Sequence, residues 1–114
     1  MITFETSGGF SIVRLSGSLT IGNSDGLISR FTDWLDHQHP TRTVFDLSQL
    51  EMLDSCGIGS LVSCLHHARK RGGEIRLAGA CGRPQMALHV AQVDRLFPQA
   101  ATVEEALAAP PFVD

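Results

Sequence analysis

No stretch of this chain approaches the roughly 18 to 20 consecutive apolar residues that a membrane-spanning helix needs. Residues 1–6 lack a basic region followed by an apolar run, so no secretory leader is read and the expected location is the cytoplasm. Basic residues are not in excess: nine Lys and Arg stand against twelve Asp and Glu, giving a formal charge of -3 and a pI near 5.9. That leaves no electrostatic reason to expect DNA, RNA or an anionic membrane as the main partner. Cysteine is sparse and odd in number. Cys56, Cys64 and Cys81 fit reduced thiols better than a disulfide framework. There is also no internal repeat, linker or low-complexity segment.

What is present suits one α/β domain. The 114 residues are 43% hydrophobic, enough to fill one modest core. Residues 1–109 are assigned to that domain and 110–114, which include Pro110 and Pro111, to a tail expected to fray. Ile2 to Glu5 and Phe10 to Leu15 read as strands joined at Gly8-Gly9. From Ser24, apolar residues at Leu27, Ile28, Phe31, Trp34 and Leu35 mark one face of a helix that stops before Pro40. Thr43 to Leu47 reads as a strand covered on both faces. Ile58, Leu61, Val62 and Leu65 predict a second helix ending near Arg71, where Gly72-Gly73 can close it. Arg69, Lys70 and Arg71 then complement its dipole. Glu74 to Ala78 reads as a strand. A third helix opens at Arg83-Pro84 and runs to about Val93. Leu96-Phe97 is expected as a short strand, and Thr102 to Glu105 carries the capping-box pattern of a final helix through Leu107. This alternation implies a largely parallel sheet with crossover helices packed on it.

One segment carries chemistry. From Val44 to Gly59 a buried strand passes into a helix through a polar, glycine-containing corner, Asp54-Ser55-Cys56-Gly57-Ile58-Gly59. In open α/β sheets, ligand and partner sites gather beyond the carboxyl ends of the strands, which places Ser55 for outside access. A helix N-terminus has unpaired N–H groups and a positive dipole end, so a phosphate on Ser55 is tolerated by the fold. A partner would feel it. A doubly charged phosphate about 8 Å from an opposing carboxylate, at an effective dielectric near 20, is repelled by roughly 4 kcal/mol, about a thousandfold in affinity. Gly57 and Gly59 either leave room for a partner or pack against the sheet, while Asp54 or Ser55 caps the helix; the sequence leaves both open.

Other constellations are weaker. A nucleophilic Ser55 or Cys56 would find His66 and His67 about 15 Å along the same helix, and only His37, His39 or His89 would remain as a base. Cys64, His67, His37 and His39 do not form a metal-ligand spacing, so neither a metal nor another cofactor is expected. Asp46 suits a turn-capping role. The basic run from His66 to Arg71 is the exposed end of an amphipathic helix. Cys56 at a helix N-terminus is a candidate for a lowered pKa and a response to oxidation.

The residues resemble the STAS domain family, in its anti-sigma factor antagonist branch, over nearly the whole chain. The likeness rests on Leu15-Ser-Gly17, Val44-Phe-Asp-Leu-Ser48, Leu53-Asp-Ser-Cys-Gly-Ile-Gly59, Gly72-Gly73, Val93-Asp-Arg-Leu-Phe97 and Val103-Glu-Glu-Ala-Leu107. It implies a mixed, largely parallel sheet of four to five strands with about four helices mainly on one face. It also implies a non-enzymatic protein that binds an anti-sigma factor with a histidine-kinase-like ATPase fold. That partner would phosphorylate Ser55, and a metal-dependent Ser/Thr phosphatase would reverse the modification. The partner-binding residues it implies are Thr20, Asn23, Asp54, Ser55, Cys56, Gly57, Ile58 and Gly59. Two positions depart from the family pattern. Ser18-Leu19-Thr20 stands where an acidic residue is frequent, and Cys56 where Ser or Thr is common. The alternative is a STAS scaffold subunit of a stress-sensing assembly or a lipid-transport ABC system, bound irrespective of Ser55. The family's role as a transporter tail does not fit a chain without a membrane segment. Whether an exposed sheet edge makes a homodimer is left open.

Overall fold

The computed structural model describes residues 1–109; the tail expected to fray at 110–114 lies outside the described residues. Gly8 and Gly9 take φ values of 57° and 82°, as a two-residue turn between twisted strands requires. They join β1 (Ile2–Ser7) to β2 (Phe10–Leu19) as an antiparallel hairpin. Then follow α1 (Ser24–Asp36), β3 (Arg42–Leu53), α2 (Ser55–Lys70), β4 (Glu74–Ala78), α3 (Gly82–Val90), β5 (Gln99–Ala100) and α4 (Val103–Ala108). The five strands form one sheet in chain order, and every pairing from β2 onward is parallel.

That order explains the layers. Each parallel crossover steps one strand in the same direction, so right-handed connections put α1, α2 and α3 on the same face. There Leu27, Phe31, Leu61, Leu65 and Leu88 pack with Val13, Leu15, Phe45, Leu47, Ile75 and Leu77. No described strand follows α4, which is free of this constraint and covers the other face. Its Val103 and Ala106 pack with Phe10, Ile12, Val44 and Ala78. Arg76, only 2% exposed, belongs to the same layer. Its guanidinium donates to the Glu74 carboxylate and to the carbonyls of Ala106 and Ala109, and lies 5.0 Å from the centre of the Phe10 ring. The carbonyls that α4 leaves unpaired at its C-terminal end thus find a cation.

The clearest departures from expectation are at four places; the first is β2, read as Phe10 to Leu15, which runs on through Gly17 to Leu19. β3 does not stop at Leu47 but continues to Leu53, pairing only with β2 beyond Asp46. Register shifts between Arg14 and Ser16 and between Gly17 and Ser18 space the buried Leu47, Leu50 and Leu53 three apart, a pattern that two-residue alternation does not detect. α3 ends at Val90 rather than Val93, because Gln92 turns left-handed with φ 59°. Leu96-Phe97 is not a strand. Asp94–Leu96 form a 3₁₀ turn, Phe97 plugs the core, and the pairing strand is β5.

Candidate functional site

The extension of β3 carries the chain past the end of β4 and delivers Asp54 to the start of α2. Asp54 is extended, with φ -99° and ψ -177°, and serves as the N-cap: the Gly57 N–H donates to its Oδ1 at 2.8 Å. Its other oxygen reaches a different element, accepting the Ile21 N–H at 3.0 Å. The Asp54 N–H in turn donates to the Leu19 carbonyl at 3.3 Å. These donors, the Gly57 amide first and the Ile21 amide also, outweigh partial desolvation and hold the Asp54 carboxyl below its usual pKa.

Because Asp54 takes the capping role, Ser55 is left free. It is the first helical residue and is exposed, and among the described residues its hydroxyl has no hydrogen-bond partner. Cys56 beside it is also exposed. No acidic residue follows in the first turn of α2, so the Asp54 carboxylate at the N-cap is the charge that meets the positive end of the dipole beside Ser55.

The two glycines have different reasons. A Cβ on Gly57 would lie 2.1 Å from the Leu19 carbonyl oxygen, so Gly57 is bare because β2 presses on the first turn of α2. A Cβ on Gly59 would meet nothing within 4 Å, and the residue is exposed. Ile58 is half-buried and packs against the main core.

The loop between β2 and α1 forms the other wall. Asn23 Oδ1 accepts the Thr20 N–H at 2.9 Å, and Asn23 Nδ2 donates to the Ser18 carbonyl at 2.7 Å. The Thr20 carbonyl accepts from the Asn23 and Ser24 amides at 3.0 and 2.9 Å. Both ends of the Asn23 amide therefore hold the loop in shape. Thr20 is half-buried, while Ile21 is 77% exposed. The structure thus brings Thr20, Asn23 and the segment Asp54 to Gly59 together, joined through Asp54. Ile21 lies outside the residues that the family resemblance implies for partner binding. Its signal was an isolated isoleucine outside the apolar periodicity of α1, set among Thr20, Gly22 and Asn23.

The remaining candidates sit elsewhere. His37 contacts the Asp33 carbonyl, His39 stacks on Trp34 with ring centres 3.4 Å apart, and His89 pairs with Asp94 at 3.0 Å. Asp46 accepts the Ser48 N–H at 3.0 Å in a local turn. Cys64 is buried, which pushes its thiol up to about 12. Among the described residues, no three His, Cys, Asp or Glu gather as a metal site, and no helix is long and apolar enough to cross a membrane.

The family model for the STAS domain matches residues 1–106. The chain belongs to the STAS domain family. Among solved structures, this STAS domain superimposes on an anti-sigma factor antagonist from Mycobacterium paratuberculosis with a TM-score of 0.81 and 24% identity, covering 94% of this chain and 90% of that one. Bacillus SpoIIAA, an anti-sigma factor antagonist, matches in its unphosphorylated form at a TM-score of 0.72 and 16% identity, over 93% of both chains. It has also been solved in its phosphorylated form. A sulfate transporter family protein from Wolinella succinogenes shares the fold at a TM-score of 0.74 and 22% identity, over 88% of this chain and 83% of that one. The mixed five-stranded sheet with four helices is the fold of these structures, as the sequence resemblance implied.

Proposed function

We propose that this STAS domain is a cytoplasmic bacterial anti-sigma factor antagonist, acting in transcription control by binding rather than catalysis. Its partner is an anti-sigma factor with a histidine-kinase-like ATPase fold, which phosphorylates Ser55 and thereby releases the domain; a metal-dependent phosphatase restores it. The observation that carries this reading is the free, exposed Ser55 hydroxyl at the start of α2, beside a carboxylate already engaged by two backbone amides. Phosphorylation disturbs no hydrogen bond of the Ser55 side chain. Yet it takes the corner from the one negative charge of Asp54 to about three, with a phosphate carrying up to about two. A partner surface that accepts the unmodified corner must then desolvate or oppose that added charge. The Bacillus relative, solved in phosphorylated and unphosphorylated forms, lends support by analogy.

The test is incubation with ATP and each purified histidine-kinase-like anti-sigma factor of the same organism, followed by mass spectrometry of wild type and Ser55→Ala. Addition of one phosphate to wild type and none to Ser55→Ala supports the switch. Stable binding without phosphate on Ser55 replaces it with the scaffold reading.

A further inference from the structure

We propose that Ile21 is the apolar anchor of the corner, seated on binding in an apolar pocket of the kinase-like partner; this rests on the function proposed above. Four exposed large apolar residues besides Ile21 occur among the described residues: Met1, Met52, Met86 and Val90. Met52 is fixed in β3 and Met86 and Val90 in α3, so what sets Ile21 apart is that it is tied to the carboxylate that caps the helix bearing Ser55. The Ile21 N–H is fixed to Asp54, and the loop on either side of it is closed by the Asn23 amide and by the two bonds to the Thr20 carbonyl. Its side chain is β-branched and stiff at χ1. An apolar group that is exposed and already ordered loses little entropy when buried, which is what a binding hot spot requires.

The placement also links Ile21 to the switch. The carboxylate that caps the helix bearing Ser55 also fixes the Ile21 amide, so one residue ties the loop of Ile21 to the helix of the switch. Gly22, Cys56 and Gly59, all exposed, leave the approach low on both sides. A partner pocket closed over Ile21 excludes water from the corner, and a phosphate placed beside it is then held in a dry contact, where charge is most costly. Ile21 therefore contributes both to affinity and to discrimination between the two states of Ser55.

The experiment is calorimetric titration of the purified histidine-kinase-like anti-sigma factors of the same organism with wild type, Ile21→Leu, Ile21→Ala, Ile21→Glu and Val90→Ala, with an unfolding curve for each. Ile21→Leu is expected to bind within about threefold of wild type, Ile21→Ala at least about tenfold more weakly, and Ile21→Glu at least about a hundredfold more weakly. Val90→Ala, altered at a 72% exposed apolar residue of α3, is expected to bind as wild type, and all five are expected to unfold alike. Wild-type affinity in Ile21→Ala and Ile21→Glu overturns the anchor and leaves the antagonist standing. So does an equal loss in Val90→Ala, or a loss in the Ile21 variants matched by lost stability. If wild type binds none of these partners, the antagonist reading falls and the anchor with it.

Discussion

Asp54 and Ile21, 33 residues apart in the chain, are joined by a 3.0 Å hydrogen bond from the Ile21 amide to Asp54 Oδ2. Through its other oxygen, Asp54 holds the first turn of α2. One carboxylate thus fixes both walls of the corner around Ser55, and the geometry of that corner depends on its charge.

That dependence has a pH signature. The Asp54 carboxyl lies below its ordinary value of 3.8 because backbone N–H groups favour the ionised form. Its contribution is complete above the unfolded-state value and is lost as pH falls through the lower folded-state value. The amide resonances of Gly57 and Ile21, on different elements, should titrate together with one midpoint below 3.8, measured by NMR. Asp54→Ala removes the cap and the tether at any pH; it should lower Tm by about 4–8 °C and speed hydrogen exchange at Ile21. Separate midpoints for the two amides would mean that Asp54 does not link them.

The glycines should respond in opposite directions. Gly57→Ala drives a methyl into the Leu19 carbonyl and should destabilise by about 2–3 kcal/mol despite the better helix propensity of alanine. Gly59→Ala meets open space and should stabilise by about 0.5–1 kcal/mol. Urea unfolding measures both. If a partner lies close over Gly59, the same Gly59→Ala protein, though more stable, should bind it more weakly.

Arg76→Ala should cost about 3 kcal/mol or more, because it leaves the Glu74 carboxylate and the end of α4 without their buried cation. Hydrogen exchange should accelerate first along Val103–Ala108. The folded fraction should keep its affinity for the partner, since α4 packs on the face opposite α2.

The layout of this fold was legible where periodicity and punctuation agree. Leu27 to Leu35, the Gly8-Gly9 turn and the Gly72-Gly73 stop each carry a local physical signal that the structure obeys. The outer part of β3 was not legible, because register shifts break its alternation and Ser48, Gln49 and Glu51 are exposed there. β5 has two residues, too few for any pattern, and the buried Phe97 just before it carried the apolar signal instead. In the corner, the sequence placed Ser55 at a helix start but left open whether Asp54 or Ser55 is the cap. The Gly57 and Ile21 bonds to Asp54 decide that question. Ile21 was not legible because its place in the corner is set by a tertiary hydrogen bond, which leaves no periodic trace.

If the charge state of residue 55 governs partner binding, the affinities of Ser55→Ala and Ser55→Asp for the kinase-like anti-sigma factor must differ, and titration calorimetry compares them. Ser55→Ala should bind like the unmodified protein, and Ser55→Asp, which carries only part of a phosphate's charge, should bind at least about tenfold more weakly. Equal affinities for the two would mean that charge at residue 55 does not control binding.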